Sequence, residues 1–288
     1  MASIARLLAR LIEVQAPWAK PLGEFNKRWI GWITHRLGPL TDLLHGRWLG
    51  HPLHAATTDV PVGALTVSLV LDVLDQRPAA DIALIIGVLF MLLSAVIGAV
   101  DYADTDGTAL MQATVHSTVM VLSLAVYLVS LAIRAGQPDD RSAAVVSAFI
   151  GYGLLTVGAY IGGHVVYALG NMTWRHAFLS RGSKWQPIEL DPAIELADGA
   201  PARVRFGSEL LVVVRIGETI HALHEKCAHA GGPLSKGTIV DGCIQCPWHG
   251  SRFELATGHV RRGPSVYDQP RYEVRLGEKG WEARRFPS

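Results

Sequence analysis

The chain is poor in charge and in cysteine. Asp, Glu, Lys and Arg make up 18% of its 288 residues, against about a quarter in ordinary soluble domains. They nearly cancel, leaving +1, and so balanced a chain offers no electrostatic footprint for nucleic acid. Residues 1–50 read as neither signal peptide nor span: Arg10 and Glu13 interrupt the early apolar run, and no small-residue cleavage site follows. Of three cysteines, Cys243 lies on the apolar run Ile239-Val240 to Ile244 and reads as a buried small hydrophobe. The other two, Cys227 and Cys246, sit in short histidine-bearing clusters.

What is abundant is apolar sequence. Half the residues are hydrophobic and the mean hydropathy is +0.26. Four stretches, Ala55–Leu74, Ala80–Val100, Thr108–Ile133 and Ser142–Leu169, are long enough to cross a hydrocarbon core about 30 Å thick. The breaks between them are short and polar, which predicts antiparallel neighbours in one bundle. Gly158-x-x-x-Gly162 and Ser94-x-x-x-Gly98 offer small faces for close helix packing. Spans two and four share a faint likeness, Leu92-Leu93 to Tyr102 against Leu154-Leu155 to Tyr167, as a duplicated hairpin would show.

Arg6, Arg10, Lys20, Lys27, Arg28, Arg36 and Arg47 precede the first span, and Arg175, Arg181 and Lys184 follow the last, against Arg77, Arg134 and Arg141 on the other side. The positive-inside rule then puts both termini in the cytoplasm of a bacterial inner membrane. Ile4, Leu7, Leu8, Leu11 and Ile12 share one helical face, as in an interfacial helix. Trp18, Trp29, Trp32, Trp48 and Trp174 fall on the same side of the bundle, as an aromatic belt would.

The C-terminal third reads Cys227-Ala-His229, then sixteen residues, then Cys246-Pro-Trp-His249. Two thiolates and two imidazoles can hold a [2Fe–2S] centre with Cys₂ on one iron and His₂ on the other. They can also hold a structural zinc. Zinc modules usually pair like with like along the chain, whereas each cluster here mixes the two. Gly231, Gly232, Gly250 and Pro247 suit loops that bring backbone N–H groups close to inorganic sulfur.

From Lys184 to about Phe286 the chain resembles a Rieske-type ferredoxin domain. The likeness rests on Cys227-Ala-His229-Ala-Gly-Gly-Pro-Leu, on Cys246-Pro-Trp-His249-Gly-Ser-Arg-Phe, and on Thr257-Gly258 followed by Gly263-Pro264. It implies that Cys227 and Cys246 ligate an inner iron and His229 and His249 an outer, solvent-facing one, where partners dock. Cytochrome bc-type members carry two further cysteines that staple the loops; Gly232 and Trp248 stand there. Ser251 stands where those proteins hydrogen-bond a bridging sulfide, but Phe253 replaces their tyrosine. A reduction potential below the bc type follows from that resemblance.

The expected architecture is therefore multi-domain. It has an amphipathic segment at 1–50, an all-α four-helix transmembrane bundle at 51–170, a linker at 171–183 and an all-β Rieske domain at 184–288. Residues 45–170, with His-Pro-Leu-His and Pro-Val-Gly at the entry to span one, also resemble a widespread, uncharacterised family of four-helix bacterial membrane domains, some fused to a Rieske module. His51, His54, His116 and His164 stand in or beside the spans. They could ligate a haem b, line a quinone pocket, or simply hydrogen-bond between helices.

The expectation is a membrane-bound electron carrier passing single electrons between a cytoplasmic redox partner and a membrane haem or quinone. Alternatives are an anchored ferredoxin feeding a separate oxygenase, and a redox sensor. An oxygenase subunit itself needs a second iron held by two histidines and a carboxylate in a large soluble domain. Too little chain follows the last span for that.

Overall fold

A computed structural model describes residues 2–137, 139–179, 184–189, 196–278 and 280–286. Arg181, one of the cations counted above, and most of the linker's C-terminal end lie outside the described residues. The chain divides into a helical unit, Met1–Leu44 with Pro52–Asn171, and a second unit formed by His45–His51 with Met172–Ser288.

The helical unit begins with α1 (Ala2–Glu13) and α2 (Ala16–Leu37), followed by the short α3 (Pro39–His45) at its border. Four long helices follow: α4 (Leu53–Val73), α5 (Arg77–Ala103), α6 (Gly107–Gly136) and α7 (Ser142–Tyr167). Each is long and apolar enough to cross a membrane. Only 22–33% of the residues in their most apolar stretches are buried within the chain. Ile82, Ile85, Leu89, Val96, Leu122, Val129 and Phe149 all point outward, a surface water does not favour. The core is Leu65, Leu69, Leu84, Val88, Met91, Tyr127 and Leu155. The first two helices cover one side: Ile12 and Ala19 pack on Met111, Val115 and Ile161, and Lys27 pairs with Asp106.

The two hairpins α4–α5 and α6–α7 repeat the same contacts. The Ser68 hydroxyl donates to the Ala80 carbonyl at 2.9 Å, and Ser130 donates to Ala144 at 2.7 Å. Leu65 lies against Gly87 as Tyr127 lies against Gly151. His54 Nδ1 bonds the Ser94 carbonyl at 2.9 Å with its ring against Gly98, and His116 Nδ1 bonds the Gly158 carbonyl at 2.8 Å with its ring against Gly162. Corresponding positions differ by 62 in the first helices and by 64 in the second. The two hairpins thus form a structural repeat, but in α5 and α7 its register lies two residues from the one that the leucine pairs of spans two and four suggest, so those pairs do not mark it.

Corresponding residues also meet. Asp72 and Arg134 occupy equivalent positions and pair at 2.5 Å near one end of α4 and α6, and His54 and His116 face each other near the other end. Contacts between equivalent positions at both ends place a pseudo-twofold axis along the helices.

The charged end is a small neutral network. Arg134 also bonds Asp81 at 2.8 Å, and Arg141 grips the same carboxylate at 2.5 and 2.7 Å. The Arg134 and Asp72 side chains are 3% and 2% exposed.

The second unit carries a six-stranded antiparallel sheet of β1 (Gln186–Pro187), β10 (Gly280–Arg285), β9 (Arg271–Gly277), β4 (Thr219–His224), β3 (Glu209–Ile216) and β2 (Pro201–Phe206), in that spatial order. A smaller sheet, β5 (Thr238–Val240), β6 (Cys243–Gln245), β7 (Arg252–Glu254) and β8 (Val260–Arg262), carries the second cysteine loop. Alternation on β3 turns Val212 and Val214 toward the cysteine loops and Leu211 and Val213 toward the Tyr272 side. Cys243 is buried, as its apolar neighbours predict.

Asp72→Ala would leave the Arg134 charge buried with one carboxylate to satisfy it. A loss of about 3–5 kcal/mol is expected in an SDS titration of detergent-solubilised protein. Asp75→Ala, which removes the exposed pair with Arg77, should leave the same curve in place.

Candidate metal centre

Cys227 and Cys246 open two loops with the same backbone wiring. The Cys227 N–H donates to the Gly232 carbonyl and the Gly231 N–H returns to the Cys227 carbonyl, both at 2.9 Å. In the second loop the Cys246 N–H donates to Ser251 at 2.8 Å and Gly250 returns to Cys246 at 3.1 Å. Both returns demand a left-handed residue, and Gly231 and Gly250 supply φ of 81° and 78°. The closed loops aim N–H groups inward. The amides of His229 and Ala230 lie near enough to the Cys227 sulfur to lower its thiol pKa, and those of Trp248 and His249 do the same for Cys246.

The two sulfurs are neighbours and share a hydrogen bond. That bond, opposed by burial and helped by the two backbone amides, lowers the Cys246 thiol from its ordinary value. The same bond, together with burial, pushes the Cys227 thiol up. The imidazoles of His229 and His249 form a second pair, ring centroids 5.0 Å apart and nearly perpendicular.

The donors are thus two sulfurs together and two imidazoles together. Among the described residues, no three His, Cys, Asp or Glu side chains converge on one point as a single zinc would require. Two paired donor sets, with backbone N–H groups near the sulfurs, fit a two-iron cluster.

Buried polar groups hold the loops in place. Gln269, 2% exposed, donates to the carbonyls of His224 and Lys226 at 2.6 and 2.8 Å and accepts the Ala228 N–H at 2.8 Å. The Glu225 carboxylate takes the Ser235 N–H and hydroxyl at 3.0 and 2.6 Å, and burial raises its pKa. Ser251 is fully buried and its Oγ accepts the Ser265 N–H at 3.0 Å, so its own proton remains available to a further acceptor. Neither Gln269 nor Glu225 stands out in the sequence, because their value lies in what the fold brings to them.

A β-carbon at Gly232 would lie 2.8 Å from the Cys246 sulfur and 3.0 Å from the Trp248 ring. The two positions that carry stapling cysteines in bc-type proteins therefore touch here as glycine and indole. Met172 to Leu179, part of the span expected as a linker, packs on this unit. Arg175 donates to the His229 carbonyl at 3.1 Å, and Met172 and Thr173 line a small cleft with His229. His229 is only 6% exposed, whereas His249 is half-buried beside an exposed Trp248.

The four histidines in or beside the long helices separate into distinct environments. His54 and His116 come together across the bundle axis, ring centroids 6.5 Å apart. His164 instead bonds the Gln112 amide at 2.9 Å. His51 belongs to the segment His45–His51 of the second unit.

Comparison with known proteins gives a consistent result. Residues 185–273 match the Rieske [2Fe-2S] domain model. The anthranilate 1,2-dioxygenase ferredoxin subunit of Burkholderia cepacia is 31% identical over 94 residues, 33% of this chain and 85% of that protein. Apoptosis-inducing factor 3 of Mus musculus is 33% identical over 82 residues, 28% of this chain but only 14% of that protein's length. The solved ferredoxin of carbazole 1,9a-dioxygenase from Nocardioides aromaticivorans IC177 is 28% identical, covering 32% of this chain and 89% of that one, with a TM-score of 0.29. Through its C-terminal unit, the chain belongs to the Rieske [2Fe-2S] family.

Two outcomes are expected at this centre. Gln269→Leu strands the His224 carbonyl and the Ala228 amide and leaves the Lys226 carbonyl with His176 alone; a loss of about 2–3 kcal/mol in the unit's stability and faster bleaching of the visible chromophore by chelator should follow. The second concerns His176, buried against His224 with ring centroids 4.4 Å apart and bonded to the Lys226 carbonyl. Burial first, then His224, hold its pKa down to about 3. Unfolding raises that value to about 6.5, so the unfolded chain binds the proton first and stability falls as pH drops from about 6.5 toward 3. The slope approaches one proton, about 1.4 kcal/mol per pH unit, and unfolding curves of His176→Gln should be flatter in that window.

Proposed function

We propose that Cys227 and Cys246 hold the inner iron, and His229 and His249 the outer iron, of a [2Fe–2S] cluster in a membrane-bound electron-transfer protein. The observation that carries this is the matched backbone wiring of the two cysteine loops, with the His229 and His249 rings paired beside them. The cluster would supply one-electron storage near neutral pH. The chain would do the rest: the N–H groups and the Ser251 hydroxyl stabilise negative charge on sulfur, and Leu234, Ile244 and Phe253, all fully buried, keep water from the thiolate side.

A soluble partner would meet the half-buried His249 beside the exposed Trp248, since His229 is covered. The four apolar helices would anchor the protein in a bacterial inner membrane. The Lys and Arg asymmetry supports a cytoplasmic location for both termini and the cluster unit. The exposed Trp29, Trp32 and Phe25 on α2 support an interfacial position for that helix. On this reading the cluster exchanges electrons with the soluble partner and with a haem or quinone in the helical unit.

A second reading has support from the ferredoxin subunit named above, which aligns over most of its length. In it the helices only anchor a ferredoxin that feeds a separate oxygenase.

Visible and EPR spectra of the full chain in detergent test the cluster. Two irons and two acid-labile sulfides per chain, with a rhombic reduced signal lost in Cys246→Ala and altered in His249→Cys, are expected; stoichiometric zinc with no sulfide after anaerobic reconstitution would refute it. Reoxidation of the reduced cluster without any soluble acceptor, in membranes but not in plain detergent, would support relay over anchoring.

A further inference from the structure

We propose that His54 and His116 are the two axial ligands of one haem iron held on the pseudo-twofold axis of the helical unit. This names the cofactor of the membrane acceptor and, for its place in electron transfer, rests on the reading above; the binding chemistry stands on the following observations.

First, the ring protons are assigned by the acceptors. A backbone carbonyl cannot donate, so the hydrogen bonds from His54 Nδ1 to Ser94 and from His116 Nδ1 to Gly158 fix both protons on Nδ1. Nε2 is then the nitrogen of each ring that can present a lone pair to a ligand. That is the arrangement of metal-ligating histidines, whose second nitrogen is held by a carbonyl or carboxylate.

Second, no hydrogen bond reaches either Nε2 among the described residues. A hydrogen-bonding role between helices uses one nitrogen and explains nothing about the other. Both rings are part-buried, and the repeat leaves the same nitrogen of each open to a ligand.

Third, the spacing fits one ion between the rings. Metal–nitrogen bonds of about 2 Å on opposite sides of one iron place imidazole centres about 6 Å apart. The rings here are 6.5 Å apart and 78° to each other. Each ring is fixed against its hairpin partner by a glycine. A β-carbon at Gly98 would approach the His54 ring to 2.7 Å, and one at Gly162 the His116 ring to 2.9 Å.

Fourth, two protein ligands are too few for a bare ion. No third His, Cys, Asp or Glu joins them among the described residues, and zinc, manganese or iron alone takes four to six ligands. A haem iron brings four nitrogens of its own and needs two more, which bis-imidazole ligation supplies.

The test is a hemin titration of the full chain in detergent, with the cluster's EPR signal recorded alongside. One haem per chain with a low-spin, six-coordinate spectrum is expected. His54→Ala and His116→Ala should each weaken binding at least tenfold and give a high-spin spectrum, reversed by added imidazole; His164→Ala should leave binding and spin state unchanged. No haem bound by the unmodified protein, or haem bound equally by both alanine variants, overturns the proposal, as does stoichiometric copper(I) at the site instead. The unmodified protein's spectrum decides the matter even if a variant fails to accumulate. A normal cluster signal without haem defeats this inference alone, whereas haem binding in a chain that holds no cluster defeats the electron-transfer reading alone.

Discussion

The helical unit is held together where a side chain on one helix reaches a backbone carbonyl on the next. Ser68, Ser123, Ser130, His54 and His116 each donate across a hairpin in this way. In an apolar surrounding the hydrophobic effect contributes little to helix association, and close backbone approach with a hydrogen bond takes its place. Such approach requires small residues opposite large ones, and Gly87 under Leu65 and Gly151 under Tyr127 meet that need. Every other feature of the unit, including the meeting of His54 with His116, depends on how near these backbones come.

The cluster unit solves a related problem with donors in place of acceptors. There the backbone presents N–H groups to sulfur, and the left-handed glycines at 231 and 250 turn the loops so that it can. Gly232 has the opposite role, an absent side chain that lets the second loop sit against the first. The indole of Trp248 fills the space between them, so the loops are joined by packing where other members use a covalent bond.

Much of this was legible beforehand. The Cys-x-His and Cys-Pro-Trp-His clusters name a cluster chemistry by residue type and spacing, and long apolar runs bounded by Asp75, Asp106 and Asp140 mark four helices because length and hydropathy are local properties. The polar network of Gln269 and Glu225 was not legible, since glutamine and glutamate carry no pattern and gain meaning only from a buried position. Nor was the burial of His229, which depends on Arg175 and Met172 folding back from outside the motif. The repeat was not legible either, because α4 and α6 share few residue types. What they share is which positions touch a carbonyl or a glycine, and a one-dimensional comparison does not register that.

The axis contacts divide into two kinds. Histidine opposite histidine can arise in a dimer of two identical hairpins, since symmetry places like beside like. Asp72 opposite Arg134 cannot: in such a dimer the same position would set aspartate against aspartate or arginine against arginine. Carrying both halves on one polypeptide releases those positions from identity, and that release is what allows an aspartate to face an arginine across the axis while the imidazoles still face like with like.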